Sequence, residues 1–334
     1  MPQLRRASSV IQIARDLGLS GNDPVGAILD HCHAKIESWG NGFKGTLTLS
    51  RLHQLVDDHL DLQHVVVTTN DELDELIREQ IAQRELAAAA LRDEFANGTE
   101  AITFRLRHAR VGMRRNLSVI DGRGDRAVRV YFGKRHESSH LLSMAPTQLD
   151  LVFRRTHAVK NVAEEQLMDR ISGEIAFYRP LFKPELDRLQ RRYGRPCFQL
   201  IEDLRNEVCS DASWYATGLA TVEQNDVPAL FLTASYAAKT ADQGHPGASL
   251  ALRASARGNA AARRAGLIIP WNYRIPPGSV IYDVFHSPST LSEVHADERL
   301  GIWTASNGSR LRDLPIHILV RRYGNHVVAI VTLN

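Results

Sequence analysis

The sequence predicts an α+β fold in three parts, because the spacing of its hydrophobic residues changes along the chain. Residues 1–100 are mostly helical in pattern, residues 101–210 combine strands with helices, and residues 211–334 are mostly strand-like. Apolar residues three to four apart indicate helices, whereas strict alternation indicates half-buried strands. A chain of 334 residues is also longer than one ordinary compact domain. We therefore expect a helical N-terminal region, a central mixed domain ending in a short helical pair, and a strand-rich C-terminal domain.

One helix dominates the pattern of the N-terminal region, and the rest of residues 1–63 also looks helical and polar-rich. The stretch "TTNDELDELIREQIAQRELAAAALRDEFANG" places Thr69 three residues before Glu72. This is the spacing of a capping box, in which two side chains satisfy free N–H groups at the start of a helix. Leu73 and Ile77 then share a face, and Gly98 marks the end. The stretch predicts one long helix.

Strand patterns begin at residue 101. "AITFRLRHAR" alternates apolar and basic residues, and "LSVID" and "DRAVRVYF" predict two strands joined by a Gly-rich turn. A helix follows up to about Tyr178, where Pro180 and Pro184 are expected to end it, and a short helical pair surrounds Gly194. Beyond Val227 the strand candidates are "ALFLTASY", "SVIYDVF", "GIWTAS" and the hairpin "IHILVRRYGNHVVAIVTL". Residues 244–266 are expected to form an exposed loop or a small-residue helix.

The composition is that of an ordinary soluble protein. Hydrophobic residues make up 43% and charged residues 24% of the chain, which excludes collagen-like, disordered and disulfide-scaffold classes. No apolar run approaches the roughly 18–20 residues of a membrane span, and the N-terminus lacks a secretory signal pattern. Cys32, Cys197 and Cys209 are few and odd in number, which favours buried thiols in a reducing compartment. We expect a cytoplasmic protein with no membrane partner.

Positive charge is concentrated in the central domain. Between Ile102 and Arg135 only Asp121 and Asp125 oppose ten basic residues, whereas the whole chain has a net charge of +3. The ten are Arg105, Arg107, Arg110, Arg114, Arg115, Arg123, Arg126, Arg129, Lys134 and Arg135. This cluster of charge has two interpretations. The basic residues are either on ordinary solvated strand faces, or they form a positively charged surface that steers an anionic partner toward a site beside His136.

The stretch "YFGKRHESSHLL", residues 131–142, contains two histidines four positions apart. On a helix, such positions are neighbours on one face, so His136 and His140 can offer two imidazoles to one cation. Glu137 follows the first histidine directly and can reach a water molecule beside that cation, where it would act as a general base. The spacing is typical of zinc peptidases and predicts a Zn²⁺ site.

A catalytic zinc needs a third protein ligand, and the next predicted helix offers one. In "EEQLMD", Glu165 and Asp169 stand four apart on one face. We expect Glu165 to complete the metal ligands. Asp169 would accept a hydrogen bond from the second ring nitrogen of His136 and so orient the ring. Glu164 remains an alternative to Glu165, since the two are neighbours on one turn.

Other candidate residues have weaker patterns. His31, Cys32 and His33 are adjacent, but positions i and i+2 do not share a helix face, so ordinary packing is expected. His157 and Tyr178 flank the predicted metal helices and are candidates for polarising a substrate carbonyl. The sequence has no P-loop, no Rossmann glycine fingerprint and no Gly-x-Ser-x-Gly elbow, which argues against nucleotide hydrolysis and serine hydrolase chemistry.

Together these stretches resemble a known family. "VRVYFGKRHESSHLL" and "EEQLMDRISGEIAFYRPLF" are similar to the metal site of the ImmA/IrrE family of bacterial metallo-endopeptidases, over roughly residues 100–210. The resemblance implies a zincin-like core of the gluzincin type, in which a small antiparallel or mixed sheet packs with the active-site helices. It also implies that His136, His140 and Glu165 hold zinc and that Glu137 is the base.

The resemblance further implies a regulatory endopeptidase of the stress-response type with one or few protein substrates, such as a DNA-bound transcriptional repressor. Residues 211–334 would then sense a signal or dock the substrate. The sequence departs from the usual family pattern at Ser138 and Ser139, where a bulky residue and Gly or Ala are commoner, and at Met168, where a small residue is usual. The alternative is a DNA-associated transcriptional regulator with a structural or degenerate metal site. Its basis is the Arg-rich segment and "RLQRRYGRPCFQLI", a candidate helix-turn-helix that would bind nucleic acid directly.

Overall fold

Two sheets with surrounding helices make up the computed structural model, which confirms the α+β class. The structure describes residues 2–109, 112–144, 153–156, 162–242, 248–287, 293–303 and 310–334. The chain divides into a first unit, Met1–Leu181 with Asp211–Ser213, and a second unit, Phe182–Ser210 with Trp214–Asn334. Every helix among the described residues is too short or too polar to cross a membrane.

The first unit contains eight described helices and a four-stranded mixed sheet. In chain order these are α1 (Pro2–Arg5), α2 (Ser8–Asp16), α3 (Pro24–Asn41), α4 (Leu49–His59), β1 (Leu62–Val67), α5 (Asn70–Ala82), α6 (Leu91–Ala96), β2 (Thr99–Arg105), β3 (Asn116–Asp121), α7 (Val130–Leu142), β4 (Phe153–Thr156) and α8 (Ala163–Ala176). The strand order is β1-β3-β2-β4, with β1 parallel to β3 and the other pairs antiparallel. Ile102 and Phe104 of β2 pack in one core with α5 and α6, whereas the alternate residue Thr103 faces α7.

This arrangement differs from the three parts expected from the sequence. Residues 62–67, within a stretch expected to be helical, form β1 and pair with β3 from Leu62↔Asn116 to Val67↔Asp121. The N-terminal region therefore supplies an edge strand to the sheet of the central region. The first 100 residues and the metal motif lie in one unit for this reason.

The predicted long helix after Thr69 is wrong in its extent but right at its start. The capping box is present, with Thr69 Oγ1 accepting from the Glu72 N–H at 3.1 Å. The helix ends at Ala82, Arg84 adopts a left-handed φ of 65°, and a 3-10 turn and α6 follow. Glu85 explains the break, because its buried carboxylate accepts the backbone N–H of His108 at 2.6 Å. A tertiary contact thus overrides the local helical pattern.

The second predicted strand of the Gly-rich hairpin is also wrong. Residues 124–129 form a 3-10 turn and α7 begins at Val130, so the metal motif lies in the second half of a 13-residue helix. Val128, which lies within the predicted strand, is 69% exposed. Alternating valines therefore misled the strand prediction, because the neighbouring elements do not bury that face.

The helices that follow α8 differ from expectation at the prolines. α8 ends at Ala176 as predicted, but α9 (Arg179–Tyr193) contains both Pro180 and Pro184. Pro180 lies in the first turn, where a missing N–H removes no helical hydrogen bond. The helical pair around Gly194 is confirmed, since α10 (Phe198–Val208) follows α9.

The second unit is built on a six-stranded antiparallel sheet of order β7-β6-β5-β10-β9-β8. Its elements after α10 are α11 (Trp214–Gln224), β5 (Ala229–Ala238), β6 (Leu250–Gly258), α12 (Ala260–Ala265), β7 (Tyr273–Arg274), α13 (Val280–His286), β8 (Val294–Arg299), β9 (Pro315–Tyr323) and β10 (His326–Leu333). The predicted strand at β5 and the predicted hairpin β9–β10 are confirmed. "SVIYDVF" forms α13, so that strand prediction is wrong. The first two residues of "GIWTAS" belong to a 3-10 turn, Leu300–Ile302, and its last three lie outside the described residues. Residues 244–266 were expected to form a loop or a small-residue helix. Leu250–Gly258 of this stretch instead form β6 and pair with β5.

Candidate metal centre

Helix α7 brings its two histidines together on one face. The Nε2 atoms of His136 and His140 lie 3.2 Å apart, and the rings are edge-to-face. The two residues are only 1% and 2% exposed. The two imidazoles therefore lie side by side on one face of α7, as the i, i+4 spacing predicts.

Helix α8 supplies the carboxylate that completes this group. Glu165 Oε2 lies 3.1 Å from His136 Nε2, and Glu165 Oε1 lies 3.6 Å from His140 Nε2. The three possible ligand atoms all lie within 4.8 Å of one another, so the group could hold a metal ion. It is the one such group among the described residues, and Glu164, the alternative ligand, is not part of it. Burial and the neighbouring Glu165 charge raise the pKa of Glu164.

Asp169 lies where the sequence places it, on the far side of the His136 ring. Its Oδ1 is 3.0 Å from His136 Nδ1. If Nδ1–H donates to this carboxylate, Nε2 presents a lone pair to Glu165, 3.1 Å away. Two acceptors at that distance repel unless a cation or a proton lies between them. The imidazole nitrogens and the carboxylate oxygen therefore form a donor set that fits a metal ion.

Glu137 is completely buried and points toward the sheet. Its Oε2 accepts a hydrogen bond from Thr103 Oγ1 of β2 at 2.6 Å. The strand thus fixes the side chain that the sequence proposes as the base. The pattern of β2 alone did not single out Thr103.

The opposite face of α7 is held by a buried polar cluster around Asp57 of α4. Arg135 donates to both carboxylate oxygens, at 3.3 and 3.1 Å, and Ser138 Oγ donates to Oδ1 at 2.9 Å. His64 Nε2 of β1 lies 3.3 Å from the same oxygen. Burial alone would raise the pKa of Asp57, but the His64 hydrogen bond, the Arg135 charge and the Ser138 hydrogen bond lower it to about 2. Asp57 is therefore ionised and fixes the two residues that flank His136 and Glu137.

The departures from the family pattern also have packing partners. Ser139 Oγ lies 3.2 Å from the Met168 carbonyl oxygen, and Ser143 Oγ lies 3.3 Å from Met168 Sδ. Ser139 and Met168 are fully or almost fully buried. The small serines of α7 therefore pack directly against Met168 of α8.

Neighbouring helices fix the ends of α7 and α8. Lys35 Nζ of α3 donates to the Leu142 carbonyl at the end of α7, at 3.2 Å, where a cation is favourable. Tyr131 donates its hydroxyl to the Ala176 carbonyl at 2.6 Å, and His53 Nε2 lies 3.0 Å from the Ile175 carbonyl. Burial, and then the Arg135 charge, lower the pKa of His53 to about 3, so the ring is neutral and can donate.

Part of the charge of the basic segment is offset by ion pairs with acids. Six of its members form ion pairs, namely Arg114–Asp58, Arg115–Asp61, Arg123–Asp121, Arg126–Asp121, Arg129–Glu100 and Arg135–Asp57. Arg110 lies outside the described residues. Four of the paired acids lie outside the segment, namely Asp57, Asp58, Asp61 and Glu100, so its excess of eight positive charges is reduced to about four.

The weaker candidates remain outside the metal group. His33 Nε2 lies 3.5 Å from Glu174 Oε2, and the Tyr178 ring packs edge-on against His33. Cys32 is buried, and burial raises the pKa of its thiol to about 12. His157 lies outside the described residues.

No protein-family model and no curated protein matches this chain.

Proposed function

We propose that this protein is a zinc-dependent endopeptidase with a zincin-like core. The observation that carries the proposal is the convergence of His136 and His140 with Glu165 from a separate helix. Two imidazoles and one carboxylate are a donor set of catalytic zinc sites, which leave a coordination position for water or substrate. The mixed sheet above α7 further supports the proposal, because it agrees with the core that the sequence resemblance implies.

The side chains of the site have separable tasks in peptide hydrolysis. A zinc ion in this donor set supplies Lewis-acid chemistry, which lowers the pKa of water to about 7 and polarises a carbonyl. Glu137 accepts the proton of the attacking water and returns it to the leaving amine. Thr103 orients the Glu137 carboxylate, and Asp169 orients the His136 ring.

An extended peptide can pair only with an edge of the four-stranded sheet. β3, the strand that precedes α7, has a partner on each side, so among the described strands the edges are β1 and β4. Backbone pairing at such an edge aligns a peptide, and side-chain contacts then select it. We propose one or few protein substrates, such as a DNA-bound repressor, on the sequence resemblance.

The alternative, a DNA-associated regulator with a structural metal site, has less support. Duplex binding depends on cations that can neutralise phosphates, and six basic residues of the segment already have acidic partners. In the candidate helix-turn-helix, α10 packs through Phe198 and Ile201 in the core of its own unit. Salt-sensitive binding to duplex DNA by the Glu137→Gln variant would favour the alternative.

The experiment compares metal content and cleavage in three variants. Glu137→Gln should retain zinc and lose cleavage of a proteome-derived peptide library, whereas His136→Ala should lose both. Glu164→Gln is the matched control and should retain both, because Glu164 is outside the metal group. Metal is measured by elemental analysis and cleavage by mass spectrometry of new peptide termini. Cleavage by Glu137→Gln at the wild-type rate, or full zinc in His136→Ala, would contradict the proposal.

A further inference from the structure

The second unit contains a cavity of about 330 Å³ beside the last residues of β6. Its volume is at the lower end of the range of roughly 300–1,000 Å³ that small-molecule sites occupy. α11, the adjoining parts of β5 and β6, α12 and residues 267–269 surround it, and all of them belong to the second unit. The peptidase chemistry proposed above makes no use of this cavity.

The cavity lies beside a part of β6 that β7 does not cover. β7 pairs with β6 only at Arg253 and Ala254, so within the described structure no strand covers the outer edge of residues 255–258. β6 ends at Gly258, which is tightly packed, because an added Cβ there would stand 2.4 Å from Leu230 Cδ2. The opening is therefore bounded by ordered backbone and packed side chains.

The floor of the cavity is apolar. Val222, Leu230, Leu267 and Ile269 line it, and each is at most 5% exposed. Ile268, which also lines it, is 52% exposed. The apolar surface that a ligand can reach therefore comes from Ile268 together with the half-buried Leu219 and Ala256, and such surface favours a hydrocarbon group over water.

Two arginines and one acid give the cavity a net positive charge. Arg257 of β6, Arg263 of α12 and Glu223 of α11 are the charged lining residues. Arg263 Nη1 donates to the Gly258 carbonyl at 2.7 Å, which anchors the guanidinium at the cavity and leaves its other N–H groups available. In the described part of the chain, neither guanidinium forms an ion pair with a carboxylate. A planar guanidinium matches the oxygens of a carboxylate or a phosphate.

We propose that this cavity binds a small amphipathic anion. Its carboxylate or phosphate monoester contacts Arg257 and Arg263. Its hydrocarbon part lies against Leu219 and Ile268, the apolar lining side chains that have accessible surface. Tight binding needs both kinds of contact. The arginines alone are solvated and bind an anion weakly, and the apolar lining alone does not select for charge.

The test is isothermal titration calorimetry of the full chain with three probes of equal chain length: octanoate, octyl phosphate and octan-1-ol. At least one anion should bind saturably with one site per chain, and octan-1-ol should bind at least about tenfold more weakly because it lacks a charged acceptor. Preference between the two anions identifies the carboxylate or the phosphate as the recognised group. Equal binding of the alcohol, or no saturable binding of either anion, overturns the proposal.

Variants then place the binding at this cavity. The double variant Arg257→Gln/Arg263→Gln should weaken the preferred anion at least about tenfold, whereas Arg264→Gln should not change it. Arg264 is exposed and neighbours Arg263 on α12, but it does not line the cavity. All three arginines are exposed, so neither variant should disturb the fold, and circular dichroism verifies this. Equal anion affinity in the double variant and the wild type overturns the proposal, whatever the outcome at the metal site.

Discussion

Replacing Asp57 with asparagine tests how much the buried polar cluster around Asp57 stabilises the fold. The change keeps the shape of the side chain and one acceptor oxygen but removes the charge that Arg135 neutralises. The side chains of Asp57 and Arg135 are 13% and 5% exposed, so solvent cannot replace the lost partner well. Removing one member of a buried ion pair typically costs about 3–5 kcal/mol.

The pKa of Asp57 gives a second measure of the same interaction. Its shift from 3.8 to about 2 corresponds to about 2–3 kcal/mol in favour of the ionised, folded form. We therefore expect Asp57→Asn to lower the free energy of unfolding by about 2–4 kcal/mol at pH 7. Because the folded-state pKa is lowered, this stabilisation is complete above about pH 4 and is lost as the pH falls toward 2.

The assay is urea unfolding followed by circular dichroism, at pH 7 and at steps down to pH 2.5. The matched control is Asp58→Asn, the next residue of α4, whose ion pair with Arg114 is about half exposed. That control should lose less than about 1 kcal/mol. Equal losses in the two variants at pH 7 would refute the reasoning, as would a loss in Asp57→Asn that stays constant down to pH 2.5.

Asp169→Asn should weaken zinc affinity about 10–100-fold, measured by competition with a chelator, because it removes the partner that orients a ligand ring; unchanged affinity would show that the contact is dispensable. Ser139→Leu should lower the free energy of unfolding by about 1–3 kcal/mol, because α7 and α8 meet there without spare room. Wild-type stability in urea would disprove that close packing. His53→Gln should flatten the dependence of stability on pH. Burial lowers the pKa of His53 from 6.5 to about 3, so the unfolded chain takes up a proton that the folded chain does not, and stability falls as the pH drops through 6.5. Parallel stability curves for the variant and the wild type between pH 7 and pH 4 would contradict this assignment.

The metal group could be predicted because its geometry is almost entirely local. His136 and His140 are fixed relative to each other by helical spacing, and the same holds for Glu165 and Asp169. Only the meeting of the two helices had to be inferred. Asp57 carried no such signal, since its partner Arg135 is 78 positions away in sequence and α4 shows no motif.

Residue type is a poor guide to secondary structure where it disagrees with the spacing of buried residues. In "SVIYDVF" the β-branched residues favoured a strand, but Ile281, Val284 and Phe285 are buried with the i, i+3, i+4 spacing of a helix. Ser279 also caps this helix, since its hydroxyl accepts the Ile281 N–H. Spacing was therefore the better signal there. β1 is hard to predict for a different reason. Its six residues are too few to show a strand period inside a region of helical pattern.

Eight consecutive residues of α7, from Arg135 to Leu142, are buried, so this helix has no solvent face over its last two turns. Their backbone amides should exchange with deuterated solvent only when the whole first unit opens, because no local fraying can expose them. Both imidazoles that face Glu165 belong to this segment. The lifetime of an ion held there is consequently tied to how rarely the surrounding unit unfolds, as well as to the strength of the bonds to the ion.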